Sequence, residues 1–285
     1  MSWFQFVVKV YYDMPRVEEK RLMKALEDEG FEVKPFNVTR EPLPIGGVED
    51  HIALIRAVSM FRSLYTAAVL EANGITPINS SFTIIYSGDK ILTYSVLAAN
   101  SIPIPKTVIS LNGDSTIKAY LQIGFPLVDK PPIGSWGRLV SLIRDWHEAN
   151  IVIEHRSMMN NPQMKAHIVQ EYVEMPEHRD IRCFVVGGNC LGCIYRIPKE
   201  GEWRSNVALG ADVVKLDEST EACELAVKAA EALKGEVVSI DLFERKDGLV
   251  VNEVNGVPEF KGFMRATGID VAKEVAKYVK EKLKK

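Results

Sequence analysis

Several signals that would point directly to a function are missing from this 285-residue sequence. The net charge is −3, so no overall positive field favours nucleic acid as a partner. No apolar run reaches about 18 residues, the length that a membrane-spanning helix needs. The first ten residues have no charged start and too short an apolar run for a signal peptide. We therefore expect a cytoplasmic protein that does not contact a membrane.

Cysteine is scarce, with four residues: Cys183, Cys190, Cys193 and Cys223. Cys190 and Cys193 have the spacing of half a zinc site, but the sequence contains no second pair. We therefore predict free, buried thiols in a reducing cytosol and no zinc.

Familiar catalytic motifs are absent as well. A Walker A phosphate loop needs Gly-Lys-Ser or Gly-Lys-Thr after its glycines, and neither follows the glycines of this chain. The Gly-x-Ser-x-Gly turn of serine hydrolases is not found. The five histidines have no metal-binding spacing, so we predict that they are structural or exposed.

The pattern that is present divides the chain into three segments. Residues 1–86 alternate in the order β-α-β-α-β, which predicts a small parallel sheet with helices on its faces. Residues 87–168 predict a smaller α+β unit, with a glycine-rich loop followed by a helix over 139–155. Strands dominate residues 169–285. The predicted class is α/β, with α+β structure in the second and third segments.

A predicted hairpin near the C-terminus carries oxygen-bearing side chains. Two apolar, β-branched runs, 237–243 and 249–254, flank the turn residues Lys-Asp-Gly. Alternation along the strand places Glu253 and Asn255 on one face. A three-residue loop over 246–248, with Gly248 in the left-handed conformation, would set Asp241 opposite Glu253. An even loop without a bulge would turn Asp241 to the other face.

If the three side chains converge, they form an oxygen site suited to magnesium, with substrate phosphates as the remaining ligands. The alternative is a hairpin whose polar residues face solvent.

Positive side chains lie where they could meet a phosphate. Lys130 ends a predicted strand and Lys90 begins a predicted helix. Between the Lys130 strand and the following helix is a loop whose backbone N–H groups could approach a phosphate: Gly134, Ser135, Trp136 and Gly137. Ordinary surface lysines and a surface turn are the alternatives.

Arginines add to this positive charge. Arg182 and Arg196 lie on neighbouring predicted strands, and Arg204 follows them. Guanidinium groups bind carboxylate or phosphate in a fork, which suits an anionic ligand. Surface ion pairs with nearby acidic residues are the alternative.

Together these motifs resemble the ATP-grasp carboxylate–amine ligases of the RimK-like group, and within it the LysX/ArgX branch. The likeness extends over nearly the whole chain. It rests on Gly88-Asp89-Lys90, Lys130-Pro131, the loop from Gly134 to Arg138, Gln170-Glu171-Tyr172-Val173, Asp180-Ile181-Arg182, Arg204-Ser205-Asn206, Asp241 and Asn252-Glu253-Val254-Asn255. The branch is indicated by Phe61-Arg62-Ser63-Leu64-Tyr65, by Gly134 to Arg138, and by Pro258-Glu259-Phe260 after Asn255.

The resemblance implies an ATP-grasp fold: an N-terminal α/β domain (1–86), a central subdomain with a glycine-rich lid loop (87–168), and a C-terminal antiparallel-sheet subdomain with the metal site (169–285). It also implies roles for the candidate residues. The phosphates of ATP would contact Lys90, Lys130 and the lid loop. The adenine would contact Glu171, Tyr172 and Val173, and the ribose would contact Asp180. Two Mg²⁺ ions would be held by Asp241, Glu253 and Asn255. The transferred phosphoryl group or substrate carboxylates would face Arg182, Arg196, Arg204 and Asn206.

The activity that the resemblance implies is ATP-dependent amide formation. The α-amino group of α-aminoadipate or glutamate would be joined to the C-terminal glutamate of a small acidic amino-group carrier protein, in lysine or arginine biosynthesis, with ADP and phosphate as products. A dimer or tetramer is expected. The alternatives are glutamate addition to another protein or cofactor, and a non-catalytic ATP-binding module.

One residue departs from the pattern of this family. Asp129 precedes Lys130 where an apolar residue is expected. Because side chains alternate along a strand, we predict that Asp129 points away from Lys130.

Overall fold

In a computed structural model of the chain, residues 6–49, 51–203, 205 and 210–284 are described. They form a mixed α/β structure with one parallel and two antiparallel sheets. No helix within these residues is both long and apolar enough to span a bilayer.

The first sheet is parallel, as the alternating pattern predicts. Its strands have the order β2-β1-β3-β4, and the buried Val8 and Val10 lie at its centre. Helix α1 connects β1 to β2 and helix α2 connects β3 to β4, whereas a loop connects β2 to β3. The elements are β1 (Val7–Tyr12), α1 (Val17–Asp28), β2 (Glu32–Asn37), β3 (Ile52–Ile55), α2 (Met60–Ala72), β4 (Pro77–Ile78) and α3 (Ser81–Gly88).

The second sheet is antiparallel, with the order β5-β8-β6-β7. The helix that precedes its first strand begins at Lys90. The Asp89 carboxylate caps this helix by accepting hydrogen bonds from the N–H groups of Ile91 and Leu92. Strand β8 crosses residue 168, where the sequence places the end of the central segment; the two predicted boundaries stay predictions. The elements are α4 (Lys90–Ala99), β5 (Thr107–Ser110), α5 (Gly113–Ile123), β6 (Leu127–Lys130), β7 (Ser141–Ile143), α6 (Trp146–Ser157) and β8 (His167–Glu171).

The predicted helix over 139–155 is wrong over residues 139–145, which is about two turns. Residues 141–143 pair with β6 as strand β7, and the helix begins at Trp146. The Asp145 side chain caps it by accepting a hydrogen bond from the Glu148 N–H at 2.9 Å. A three-residue strand carries too little alternation to be distinguished from the start of a helix.

The third sheet has the order β11-β10-β9-β12-β13. Helix α7 covers one face, with the fully buried Ala226 and Ala229 against Val238 and Ile240 of the sheet. Helix α9 lies on the other side, in a core that also contains residues of α1 and β1. The elements are β9 (Asp180–Val186), β10 (Asn189–Ile197), β11 (Asp212–Leu216), α7 (Thr220–Ala232), β12 (Val237–Arg245), β13 (Gly248–Asn255), α8 (Lys261–Thr267) and α9 (Val271–Lys282).

The β12–β13 hairpin corrects the predicted loop and keeps the predicted pairing. Arg245 pairs with Gly248, so the loop has two residues and not three. A bulge then shifts the register: Leu242 pairs with Val251, whereas Asp241 pairs with Glu253. The extra residue is Asn252. It compensates for the even loop and returns Asp241 to the position opposite Glu253.

The prediction of free thiols is wrong. Disulfides link Cys183 to Cys193, between β9 and β10, and Cys190 to Cys223, between β10 and α7. The sulfur atoms of Cys190, Cys193 and Cys223 lie within 4.8 Å of one another, but no thiolate is left among them to bind zinc. Strand pairing and helix packing brought these residues together, and spacing in the sequence does not show that.

Candidate active site

A cleft lies between the second and third sheets and contains most of the predicted site residues. It is a concave site that is open to solvent, the kind of site in which small molecules bind. Its walls come from β6 and β8 of the second sheet and from β9, β10, β12 and β13 of the third, with the loop between β6 and β7 over it. The predicted residues that line it are Lys90, Lys130, Gly134, Ser135, Trp136, Gly137, Glu171, Tyr172, Val173, Asp180, Arg196, Asp241 and Glu253.

Lys130 lies deep in this cleft. Its Nζ donates to the Asn252 Oδ1 at 2.6 Å and lies 3.4 Å from the Tyr94 hydroxyl. Burial and the positive charge of Lys90 lower the pKa of Lys130 to about 7, against the opposing effect of Glu253. Near neutral pH, this lysine is therefore poised to gain a full charge when an anion enters.

Lys90 connects the loop to the metal-site strand. Its Nζ donates to the Gly134 carbonyl oxygen at 2.9 Å and forms an ion pair with the Glu253 Oε1 at 3.0 Å. Its backbone N–H donates to the Pro132 carbonyl oxygen at 2.8 Å. The start of α4 thus holds the N-terminal side of the loop.

Asp241 is buried and fully engaged by arginine. Arg182 binds it in a fork, with both N–O distances 2.7 Å, and an Arg196 nitrogen lies 2.9 Å from its Oδ2. Burial alone would raise the pKa of Asp241, but the guanidinium groups of Arg182 and Arg196 hold it below its usual range. Asp241 therefore carries its negative charge at neutral pH.

Asp180 forms the other end of this charge network. Its carboxylate accepts from Arg196 Nε at 2.7 Å and also from the Ser205 hydroxyl. Burial raises the pKa of Asp180 despite the adjacent Arg196. The carboxylate faces the cleft but is already bonded, so contact with a ribose stays a prediction.

The residues of the predicted adenine pocket, Glu171, Tyr172 and Val173, also line the cleft. The Glu171 side chain turns away from the cleft, where its Oε1 accepts from the Lys106 N–H and the Arg245 guanidinium at 2.8 Å each. Glu171 would therefore contact a ligand through its backbone groups. The cleft is also lined by apolar residues: Val128, Val173, Met175 and Phe243.

A second cleft adjoins the first and extends towards the N-terminal domain. The two clefts have Arg196, Glu253 and the loop residues 134–136 in common. Further lining residues lie just before α1, at the start of α2, in α3, on β9 and β13, and in the segment after β13. They include Arg16, Ser59, Phe61, Ser87, Arg182 and Asn255. A ligand in one cleft would therefore meet a ligand in the other at Glu253.

The side chains opposite each other on β12 and β13 fit a hard cation. Asp241 and Glu253 are register partners, and Asn255 lies on the same face two residues later. The Asn255 amide nitrogen is buried without a hydrogen-bond partner among the described residues. Because amide nitrogen and oxygen can be interchanged by a flip, this position can also present an oxygen. Carboxylate and amide oxygens are the donors that magnesium prefers.

The structure also shows where sequence reasoning was incomplete. Arg204 and Asn206 lie outside the described residues. Asn252, the bulge residue, was quoted in the motif without a role, yet its side chain binds Lys130 and its carbonyl accepts from Tyr94 at 2.6 Å. A bulge leaves no mark on the sequence, and no other signal would have assigned Asn252.

Asp129 points away from Lys130, as predicted. Its carboxylate contacts Arg156, His167 and Tyr120 on the opposite face of the second sheet. It therefore does not compete with a phosphate for Lys130.

Comparison with known proteins places these features in a family. The model of the RimK-like ATP-grasp domain matches residues 87–279, and that of the LysX preATP-grasp domain matches residues 8–85. The chain belongs to the RimK-like ATP-grasp family. It is accordingly an ATP-dependent ligase, and the predicted fold class is confirmed.

Individual members of the RimK-like ATP-grasp family are similar over the full length. A glutamate–LysW ligase ArgX of Sulfurisphaera tokodaii is 51% identical over 98% of this chain and 99% of its own. An α-aminoadipate–LysW ligase LysX of Saccharolobus solfataricus is 36% identical over 95% and 100%. The crystal structure of a RimK domain ATP-grasp protein from Sphaerobacter thermophilus is 25% identical, with a TM-score of 0.80 over 95% of this chain and 98% of that one.

Proposed function

We propose that this protein joins the α-amino group of glutamate to the C-terminal glutamate carboxylate of a small acidic carrier protein of the LysW type, with ATP converted to ADP and phosphate. Amide formation needs the carboxylate to be activated first, because a carboxylate is a poor electrophile. Transfer of the γ-phosphoryl group gives an acyl phosphate with a good leaving group, which the amine then displaces.

The observation that carries this proposal is the meeting of the two clefts at Glu253. The first cleft, with its apolar lining residues and two lysines, suits a nucleotide. The second cleft, with Arg16 and Arg182, suits ligands that carry carboxylates. A phosphoryl group must pass from one ligand to the other, and their common wall is where it would pass.

The chain's own groups have distinct parts in this reaction. Lys90 and Lys130 hold phosphate oxygens, and the loop over 134–137 excludes water that would hydrolyse the acyl phosphate. Arg182 and Arg196, with Arg204 and Asn206, face the transferred group or the substrate carboxylates. Asp241, Glu253 and Asn255 hold Mg²⁺, two ions by our prediction; when bound, Mg²⁺ neutralises charge that shifts between phosphate oxygens.

Glutamate is the favoured amino substrate because of the order of similarity. Two glutamate–LysW ligases share 51% identity with this chain, whereas the three α-aminoadipate–LysW ligases share 31–36%. α-Aminoadipate is one methylene longer, a difference worth about 1–3 kcal/mol in a pocket. A chain that accepts both acids, and so serves both arginine and lysine biosynthesis, is the second candidate.

The test is an ADP-release assay with a LysW-type carrier and each amino acid in turn, together with the mass of the carrier. We expect ADP and phosphate in step with a mass increase of one glutamate residue. Glutamate addition to another acceptor would show as product formation without the carrier. Release of AMP, or nucleotide binding without turnover, would contradict the proposed ligase reaction.

The metal assignment is tested in the same assay with Glu253→Gln. This change removes a charge and keeps the side-chain volume, so we expect turnover to fall about 10²-fold or more at saturating Mg²⁺. The matched control is Glu244→Gln on β12, which also removes a carboxylate but does not line either cleft. Equal activity of the Glu253→Gln variant and the unmodified enzyme would rule out a metal role for Glu253.

A further inference from the structure

Asp129, the residue that departs from the family pattern, lies at the base of the glycine loop. The loop joins β6 to β7, and Asp129 on β6 is the register partner of Ser141, the first residue of β7. The side chain is fully buried, on the sheet face opposite Lys130. A buried carboxylate is costly unless it is paired, so its partners show what it does.

Three buried groups pair with this carboxylate. Arg156 of α6 forms an ion pair with Oδ1 at 2.6 Å, and Oδ2 accepts hydrogen bonds from Tyr120 and from His167 Nδ1, both at 2.7 Å. Each of these side chains is at least 95% buried. The cluster therefore fixes the position of Arg156 relative to β6.

Arg156 then reaches the C-terminal end of the glycine loop. Its NH2 donates to the Leu139 carbonyl oxygen at 3.3 Å, and its NH1 donates to the Ala166 carbonyl oxygen at 3.0 Å. Leu139 has φ = 60°, in the left-handed region that leucine rarely adopts, and its side chain is 52% exposed. Its exposed side chain offers little packing to hold that conformation, whereas its carbonyl is held by a buried arginine.

The two ends of the loop are thus held by different means. Lys90 binds the N-terminal side at Pro132 and Gly134. The C-terminal side is bound through Arg156, which depends on Asp129. We propose that Asp129 and Arg156 are positioning residues that fix the C-terminal hinge of the glycine loop and so set how it closes over the nucleotide.

Their effect on turnover rests on the ATP-dependent activity proposed above, but their effect on the loop does not. The first measurement is therefore hydrogen–deuterium exchange of the peptide that contains residues 134–140 in the nucleotide-free protein. Arg156→Lys keeps a positive charge for Asp129 but cannot bind Asp129, Leu139 and Ala166 together. We expect exchange in this peptide to rise about tenfold, the ratio that loss of one charge-assisted hydrogen bond gives.

The matched control is Tyr120→Phe, which removes a hydrogen bond to the same carboxylate but has no contact with the loop. It should lower the melting temperature and leave exchange at 134–140 within about twofold of the unmodified chain. If Arg156→Lys also lowers the melting temperature without changing exchange at 134–140, Arg156 is merely structural and the proposal fails.

A second pair of variants tests the hinge itself and does not alter the buried cluster. Asn adopts the left-handed region far more readily than other residues, and β-branched residues avoid it. Leu139→Asn should therefore keep or slow exchange at 134–140, and Leu139→Val should speed it. Equal exchange in the two variants, or the reverse order, would overturn the proposal even if Arg156→Lys did not fold.

Turnover gives the final readout. In the Arg156→Lys enzyme, we expect the ratio of ADP formed to amide formed to rise, because a loosely held loop admits water to the acyl phosphate. Tyr120→Phe should keep the ratio of the unmodified enzyme. An unchanged ratio in Arg156→Lys, in an enzyme that turns over, would count against the loop-closing role, whereas absence of any ADP would count against the proposed function.

Discussion

At the scale of single residues, charge in the cleft is balanced by pairs that a ligand would have to rearrange. The Asp241 carboxylate is held by Arg182 and Arg196, and Glu253 is held by Lys90. These cations neutralise the acidic groups. A metal ion and phosphate would supply the same balance, with cation beside carboxylate and phosphate beside lysine.

Lys130 gives a prediction about protons. Its pKa of about 7 means that at pH 8 the amine is largely neutral in the free enzyme. The charged groups that face it are Lys90 and Glu253; Tyr94 stays neutral because burial raises its pKa. Phosphate favours the charged lysine, so we expect ATP binding at pH 8 to take up about one proton. Calorimetry in two buffers of different ionisation enthalpy measures this uptake.

The control for this measurement is Lys130→Arg, which stays charged at pH 8 and should show about one proton less uptake. The sign also sets a stability trend. Because the folded pKa is lower than the unfolded value of 10.5, Lys130 destabilises the empty enzyme most at low pH, and this cost declines as pH rises from about 7 to 10.5. Identical proton uptake by the unmodified enzyme and the Lys130→Arg variant would show that Lys130 is not the group that takes up the proton.

At the scale of elements, the packing of α3 against the end of β13 fixes the strand that carries Glu253 and Asn255. Gly256 follows Asn255 directly, and a Cβ at this position would overlap the Ser87 hydroxyl oxygen. The next atoms, the Ser87 Cβ and the Thr83 carbonyl oxygen, would lie at 3.5 Å, an ordinary contact. A single hydroxyl therefore explains why glycine is needed here.

This overlap predicts a rescue. Gly256→Ala should destabilise the protein by about 1–3 kcal/mol and lower turnover, because the overlap displaces the strand of the metal site. Adding Ser87→Ala should restore both, apart from the small cost of losing the Ser87 hydrogen bond to the Thr83 carbonyl oxygen. Chemical denaturation and the ADP assay of both single variants and the double variant measure the coupling. Additive losses would show that the hydroxyl is not the obstacle.

At the scale of the whole molecule, a few polar links tie the N-terminal domain to the third sheet. The Asn79 amide, which is 98% buried, donates to the carbonyl oxygens of Val237 and Gly256 at 2.7 Å each, and accepts from the N–H groups of Glu236 and Val237. One side chain thus joins β4 of the first sheet to β12 and to the end of β13. Gly256, one of the residues that Asn79 contacts, also lines the second cleft. This contact therefore fixes the end of β13 beside the second cleft.

The disulfides give a prediction for the stability of the whole chain. The Cys190–Cys223 bond closes a 33-residue separation between β10 and α7, which constrains the unfolded chain by about 3–4 kcal/mol in the loop-entropy account. Reduction should lower the melting temperature by about 5–10 °C. The Cys190→Ala/Cys223→Ala variant should lose the contribution of this bond and should respond to reductant only through the remaining Cys183–Cys193 bond. An unchanged melting temperature after complete reduction would show that the bond does not stabilise the fold.

Disulfides are rare in cytosolic proteins, with hyperthermophiles as the exception. The pairing therefore does not test the predicted cytoplasmic location, which stays a prediction, as do the oligomeric state and the site roles.

The sequence alone determined the fold class, most of the elements and the residue types that line the site. Hydrophobic periodicity and turn residues act locally, so they predicted the parallel first sheet and the opposing faces of Asp129 and Lys130. Tertiary structure decided what depends on partners distant in the chain. Pairing of β12 with β13 created the bulge at Asn252, and packing of α7 on β10 joined Cys190 to Cys223. Glu253 lies opposite Asp241, as predicted. The loop is one residue shorter than expected, but the bulge compensates for the missing residue.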